Sequence, residues 1–288
     1  MNDPEANTAI LLIHCPDRPG IVASVTSFLS EHDGNVLYLD QHVDREAGVF
    51  FMRLEWELEK FSIPIGALER HLTPLVNRFG MTWKLYLSDM KPRMAIFVSK
   101  IPHCLDDILA RYRSGEWKVD IPLVISNHET QRDSVSKFGP DFHCFPKTKE
   151  NKAAQEKKEL KLLRDNDISF IVLARYMQIL SADFISHYRN KIINIHHSFL
   201  PAFPGAKPYH SAYERGVKII GATSHYVTED LDEGPIIDQD VARVSHRDSV
   251  ADMVRIGRDM EKIVLARAIH AHLSRKVMVY KNKTIVFS

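Results

Sequence analysis

Two rhythms of apolar residues divide the chain. Thr8 to His14 is a short apolar run followed by the turn formers Asp17, Pro19 and Gly20, after which Ile21, Val25, Phe28 and Leu29 recur at helical spacing up to Gly34. Val36 to Val43 and Val49 to Leu58, rich in β-branched and aromatic residues, flank the polar turn Asp44 to Gly48 and predict a hairpin. Helical spacing returns in Ile65, Leu68, Leu72, Leu75, Val76 and Phe79 before Gly80, and Met81 to Leu87 alternates as a closing strand. The order βαββαβ predicts an α/β, ferredoxin-like module over residues 1–87.

Residues 88–93, charged and carrying Pro92, have little apolar surface to pack and read as a linker. Beyond them the rhythm changes. Met94 to Val98, Ile121 to Ser126, Ile168 to Leu173 and Ile192 to Ile195 are nearly continuous apolar runs, which suit strands covered on both faces. Helical patterns at Leu105 to Tyr112, Lys149 to Arg164 and Ala182 to Tyr188 lie between them, and Val250 to Leu273 reads as one long helix. Residues 94–288 are therefore expected to form a doubly wound, mostly parallel sheet, closed by a hairpin about Asn282.

Composition narrows the function. The chain has 288 residues and a formal net charge of +1, with no block of Lys and Arg, so no nucleic-acid footprint is present. Cys15, Cys104 and Cys144 are too far apart for a zinc cluster and odd in number for a disulfide framework, which fits a reducing compartment. The start of the chain is acidic and polar, and no apolar run has the length of a membrane span, so a cytoplasmic protein with a small-molecule partner is expected.

One strand-like run carries chemistry. In Ile192-Ile193-Asn194-Ile195-His196 the amide and the imidazole are two residues apart and share a face, at the carboxyl end where ligands collect in open α/β sheets. Taken alone, such a pair more often caps a strand end. Adjacent His196 and His197 point to opposite faces and could not readily share an ion, so no metal is expected. Gly221 to Thr228 reads as another strand, with His225 inside it, running into Glu229-Asp230-Leu231-Asp232-Glu233-Gly234-Pro235. Glu229 and Asp230 suit a solvated face, whereas Gly234 and Pro235 fix the backbone behind Asp232 and can turn that carboxylate inward.

Two resemblances rest on these residues. Asp17-Arg18-Pro19-Gly20-Ile21, after the first strand of a βαββαβ module, is similar to an ACT regulatory domain. Such domains pair and bind small amino acids near that loop, so the resemblance implies a homo-oligomer and an amino-acid effector site at Pro19, Gly20 and Ile21. A purely oligomerising module is the alternative.

Asn194-Ile195-His196, Ser198-Phe199-Leu200-Pro201 and Pro204-Gly205, with Gly221 to His225 and Leu231 to Pro235 downstream, resemble the folate-dependent formyltransferase family. Leu173 to Leu180 is similar to that family's folate-binding strand and loop, and the resemblance covers Arg93 to Ser288. It implies the formyltransferase fold and 10-formyltetrahydrofolate as substrate, with no separate cofactor. Asn194, His196 and Asp232 would be catalytic, and Met177, Gln178, Ile179, Leu180, His225 and Thr228 would surround the substrate.

An ACT-like domain joined to this fold is the arrangement of the family's hydrolytic branch, with water as acceptor and formate released for purine synthesis. A departure from the transferring members agrees. Their first strand leads into a Gly- and Ser-rich loop whose N–H groups cradle an acceptor phosphate, whereas this chain has Val98-Ser99-Lys100-Ile101-Pro102-His103. Transfer to an amine acceptor, permitted by Lys100, and a non-catalytic folate or amino-acid sensor are the alternatives. Hydrolysis of the amide-like formyl group needs donors for the oxyanion, which Asn194 and His196 would supply, and a proton acceptor. Asp232 would either raise the pKa of His196 or hold and deprotonate the water, and is the expected base; His225 reads equally as support for the water or as a core residue.

Overall fold

A computed structural model describes residues 7–201 and 208–288 and divides into two compact units, one running to Lys91 and rejoined by Ile285–Ser288, the other spanning Pro92–Thr284. In the first, β1 (Thr8–Pro16), α1 (Ile21–Ser30), β2 (Val36–Asp44), β3 (Val49–Glu57), α2 (Leu68–Phe79) and β4 (Thr82–Leu87) follow the predicted order. The sheet runs β2-β3-β1-β4 and its pairings are antiparallel. Period two turns Leu11, Ile13, Met52 and Leu54 toward Ile21, Val25 and Leu29 of α1 and Leu68, Leu72 and Phe79 of α2, which form one core. Strands β2 and β4 are left as edges.

The end of the chain departs from the expected division, which put all of 94–288 in one domain. Phe287 is buried, and Ser288 donates from its backbone N–H (3.0 Å) and its hydroxyl (3.1 Å) to Asp40 Oδ2 on β2. A pair of hydrogen bonds to a carboxylate thus ties the end of the chain to the first unit, which includes the last four residues.

The second unit is a seven-stranded sheet. Its strands are β5 (Arg93–Val98), β6 (Asp120–Ser126), β7 (Asp141–Cys144), β8 (Phe170–Ala174), β9 (Ile192–His196), β10 (Ile219–Tyr226) and β11 (Ile236–Arg243), in the order β11-β10-β9-β8-β5-β6-β7. The pairings among β7, β6, β5, β8 and β9 are parallel, and β10 runs against its neighbours β9 and β11. Helices α3 (His103–Ser114), α4 (Arg132–Val135), α5 (Lys152–Asp165), α6 (Ala182–His187), α7 (Pro208–Arg215) and α8 (Val250–Leu273) join the strands, and β12 (Val277–Tyr280) and β13 (Lys283–Val286) form the closing hairpin.

Alternation along the strands sorts two cores. Ile193 and Ile195 of β9 pack with Leu105 and Ile108 of α3 and Val264 and Ile269 of α8. Ile192 of the same strand faces the other way, among Leu160 and Leu163 of α5 and Phe184 of α6. Helix α8 starts sharply because Ser249 and Asp252 form a capping box, a feature worth about 1 kcal/mol in a typical helix. The chain leaves β5 toward β6 on one side and returns to β8 on the other, so the sheet has its switch point between β5 and β8, where α/β folds hold ligands.

Candidate active site

Register brings the predicted strand residues together. In the antiparallel pair β9·β10, His225 lies opposite Asn194 and Thr223 opposite His196. Because Ile193 and Ile195 face α8, these four side chains share the face that carries α5 and α6. The loop after β10 brings Asp232 onto them. Its Oδ2 lies 3.2 Å from His196 Nδ1, and its Oδ1 lies 3.6 Å from His225 Nε2.

The backbone of that loop is built for the approach. Asp232 adopts the left-handed region, at φ 59, where aspartate is tolerated better than most residues. At Gly234 a Cβ would stand 1.7 Å from the carbonyl oxygen of Tyr226, so only glycine lets the loop pass beneath the end of β10. The Tyr226 N–H donates to the carbonyl of Pro235 (2.9 Å), closing the return.

Hydrogen bonds restrict the tautomers. His225 Nδ1 lies 3.0 Å from the Tyr226 carbonyl, which can only accept, so Nδ1 holds the proton. In the neutral ring Nε2 then accepts from Asn194 Nδ2 at 3.2 Å, leaving the second amide N–H of Asn194 free to donate elsewhere. His196 likewise gives its Nδ1 proton to Asp232, and its Nε2 is buried without a partner among the described residues. The hydrogen bond from His196 and, after it, the approach of the His225 ring outweigh partial burial and hold the Asp232 carboxyl far below the usual carboxylate range.

The loop after β9 is fastened to β10. Leu200 N–H donates to Thr223 Oγ1 (3.0 Å), Thr223 donates to the Ser198 carbonyl (2.9 Å), and Gln239 of β11 donates to the Leu200 carbonyl (3.1 Å). Pro204-Gly205, also in the motif, lies outside the described residues.

The segment 175–181 leaves β8 directly beside the end of β9, since Leu173 pairs with Asn194. Met177 and Ile179 are exposed, Gln178 is half-buried, and Leu180 is buried in the core with Tyr176 and Phe184. Leu180 therefore anchors the loop by its side chain. Thr228 lies after β10, where its hydroxyl donates to the Asp230 carbonyl (3.1 Å) and shapes a turn. Ser99 Oγ donates to Asn127 Oδ1 (2.7 Å) and accepts from Met177 N–H (3.0 Å), tying the ends of β5, β6 and β8 to one another.

A buried ionic group holds this loop from beneath. Lys147 Nζ pairs with Glu159 at 2.8 Å and lies 3.9 Å from Glu156, all three side chains being nearly inaccessible. Its ammonium also stands 5.3 Å from the centre of the Tyr176 ring, and Glu156 accepts from Ser181 N–H (3.3 Å). Both ends of the loop thus rest on one cluster.

Sequence reasoning missed a second group on the opposite face. Glu261 of α8 is 1% exposed and takes His103 Nε2 at 2.8 Å, Tyr209 OH at 3.0 Å and Arg175 Nε at 3.4 Å. Burial alone would raise its pKa, but the His103 hydrogen bond and the Arg175 charge keep it below its usual value, as a carboxylate. Gly257, one turn earlier, makes room: a Cβ there would lie 1.9 Å from the Tyr209 hydroxyl. A readable signal existed, because Gly257 and Glu261 fall on the same stripe as the buried Met253, Val264 and Ala268. His197, whose ring lies tilted between those of His196 (5.1 Å) and Tyr209 (6.1 Å), adjoins this group, and its pKa is lowered by burial and then by the Arg175 charge to about 4.

His103, Cys104 and Glu261 bring three ligand atoms within 4.8 Å of one another. They do not fit a metal ion. The carboxylate already accepts hydrogen bonds from His103 and Tyr209 and pairs with the Arg175 guanidinium, and burial holds the Cys104 thiol protonated. In the first unit, Pro19 and Gly20 are exposed ahead of α1, with Gly20 at φ 89, and Ile21 is buried beneath them. No helix among the described residues is long and apolar enough to cross a membrane.

The chain matches the family model described as formyl transferase over residues 92–269 and that described as ACT domain over residues 9–55. It is 55% identical to the formyltetrahydrofolate deformylase of Synechocystis sp., over 98% of this chain and 99% of that one. A crystal structure of a formyltetrahydrofolate deformylase from Pseudomonas syringae pv. tomato superposes with a TM-score of 0.95 at 46% identity, covering 99% of this chain and 96% of that one. Glycinamide ribonucleotide transformylase 1 from Symbiobacterium toebii superposes with a TM-score of 0.64 at 28% identity, covering 71% of this chain and 98% of that one.

Proposed function

The chain belongs to the formyltetrahydrofolate deformylases, and we propose that it hydrolyses 10-formyltetrahydrofolate to formate and tetrahydrofolate at the centre formed by Asn194, His196 and Asp232. The observation that carries this assignment is the His196–Asp232 pair beside the Asn194 amide: an oriented imidazole with an unpartnered nitrogen next to an unpartnered amide N–H.

His196 Nε2 takes a proton from water as the water oxygen bonds to the formyl carbon. Asn194 donates to the developing oxyanion, a contribution of about 3 kcal/mol for a well-placed donor. The imidazolium then returns the proton to the departing folate nitrogen as the C–N bond breaks, which leaves formate and tetrahydrofolate. Asp232, the base expected from sequence, is held too acidic for efficient proton abstraction near neutral pH. In this reading it fixes the His196 tautomer and stabilises the imidazolium. Met177 to Leu180, with His225 and Thr228, border the folate, and its chemistry requires no further cofactor.

The protein so read is cytoplasmic and feeds formate to purine synthesis. The ACT-like module carries homo-oligomerisation through its edge strands and an amino-acid site at Pro19, Gly20 and Ile21. Incubation with 10-formyltetrahydrofolate and no amine should release formate and tetrahydrofolate in equal amounts. Folded protein that releases no formate above background would refute the reading.

A further inference from the structure

The switch-point crevice between β5 and β8 is where a second substrate would enter beside the catalytic edge. Here it is bridged from within. His103 follows β5, Arg175 follows β8, and both bind the single Glu261 carboxylate from α8, at 2.8 and 3.4 Å. Tyr209 of α7 adds a hydrogen bond at 3.0 Å, and Gly257 is the position that admits its hydroxyl.

The group lies across the catalytic edge from the segment assigned to folate. Tyr176 and Leu180 belong to the core on the α5 and α6 face, whereas Tyr209 belongs to the core on the α3 and α8 face. His196 and His197 straddle the edge, the first beside Asp232 and the second in tilted ring contact with Tyr209 at 6.1 Å. An incoming amine has to approach the formyl carbon from a side that folate does not occupy, and on that side the switch point is crossed by the buried Glu261 carboxylate with its His103 and Arg175 partners. Water needs no such room.

We propose that Glu261 is a specificity-determining residue: by tying His103 to Arg175 across the switch point, it closes the acceptor side of the site to amines and leaves water as the nucleophile. The inference rests on the hydrolytic reading above. In both reactions the C–N bond of the formyl group breaks and the folate nitrogen gains a proton. In hydrolysis a C–O bond forms from water and the product is formate; in transfer a C–N bond forms, the amine loses a proton, and the product is a formamide. The ratio of formate to tetrahydrofolate therefore reports the acceptor independently of total activity.

The test compares wild type, Glu261→Gln, Glu261→Ala and His103→Ala, each with 10-formyltetrahydrofolate alone, with millimolar glycinamide, and with phosphoribosylglycinamide. The His103 variant opens the same bridge without stranding a buried cation, and so covers failure of the Glu261 variants to fold. Wild type is expected to give equal formate and tetrahydrofolate throughout. The folded variants are expected to form the N-formyl amine in proportion to added amine, with transfer raised at least about tenfold over wild type, the scale of a contact that discriminates substrates. Equal formate and tetrahydrofolate in every folded variant would overturn the proposal while leaving the hydrolytic reading intact. Loss of all turnover in folded variants would also overturn it, by making the group a support for catalysis. Absence of formate from wild type would instead refute the hydrolytic reading itself.

Discussion

His196 donates its Nδ1–H to Asp232 at 3.2 Å, and its buried Nε2 has no partner among the described residues. A carboxylate on one ring nitrogen fixes which tautomer is available at the other and lowers the energy of the imidazolium. Asp232→Asn preserves shape but removes that charge. Its kcat is expected to fall by at least about two orders of magnitude, with KM nearly unchanged and the melting temperature close to wild type. Steady-state kinetics alongside thermal unfolding checks this; a mutant within about tenfold of wild type would assign the proton transfer elsewhere.

Gly234 controls the same pair from a distance. A methyl group there would meet the Tyr226 carbonyl at 1.7 Å, so Gly234→Ala must push the Asp232 loop away from β9 and β10. Overpacking of this kind costs about 1–3 kcal/mol and displaces a carboxylate whose position matters to tenths of an ångström. We expect kcat to drop more than about tenfold even where the variant is folded at the assay temperature. An unchanged kcat would mean that the loop can deform without moving Asp232.

Lys147 tests the loop 175–181. Lys147→Met leaves Glu156 and Glu159 buried without their cation, and loss of one partner in a buried ion pair costs about 3–5 kcal/mol. Burial already raises the Glu159 pKa against the Lys147 charge, so removing that charge raises it further. A group whose folded pKa is raised above its unfolded value loses stability as pH rises through that window, so the deficit should grow as pH rises above the ordinary glutamate range and shrink as pH falls back toward it. Because Tyr176 and Ser181 rest on the cluster, KM should rise more than kcat falls. Denaturant unfolding at several pH values and a KM–kcat comparison separate these effects.

Much of the architecture was legible because the apolar rhythms are strong. Both hairpins, the split βαβ order and the long α8 follow from spacing alone. Strand β7 escaped because Asp141-Phe142-His143-Cys144 is too short to show a period, and β11 because its Ile236 to Arg243 segment carries polar residues suited to an edge. The eight residues of α7 give too few turns for a periodic signal. At the site, Asn194 and His196 were visible through period two, and Asp232 through the glycine and proline behind it. The group around Glu261 was not visible as a group, since His103, Arg175, Tyr209 and Glu261 converge only through tertiary packing.

Acid sensitivity should come largely from histidines buried in the neutral form. His272 near the end of α8 is half-buried against Phe170, 4.6 Å between ring centres, and its Nδ1 lies 2.8 Å from the Tyr226 hydroxyl. Burial, then the charges of Arg275 and Lys191, lower its pKa from 6.5 to about 3. The unfolded chain therefore binds a proton below about pH 6.5 that the folded chain refuses until about pH 3, so folding stability falls as pH drops through this window. The slope is about 1.4 kcal/mol per pH unit for each such histidine, and His197, lowered to about 4, adds to it over the upper part of the window. Removing the titrating ring and its hydroxyl partner together, as His272→Phe with Tyr226→Phe, avoids leaving a buried polar group unpaired. Denaturant unfolding of the double variant between pH 4 and pH 6.5 should show a pH slope shallower by close to one proton. A slope equal to that of wild type would mean that His272 is reached by solvent before the chain unfolds.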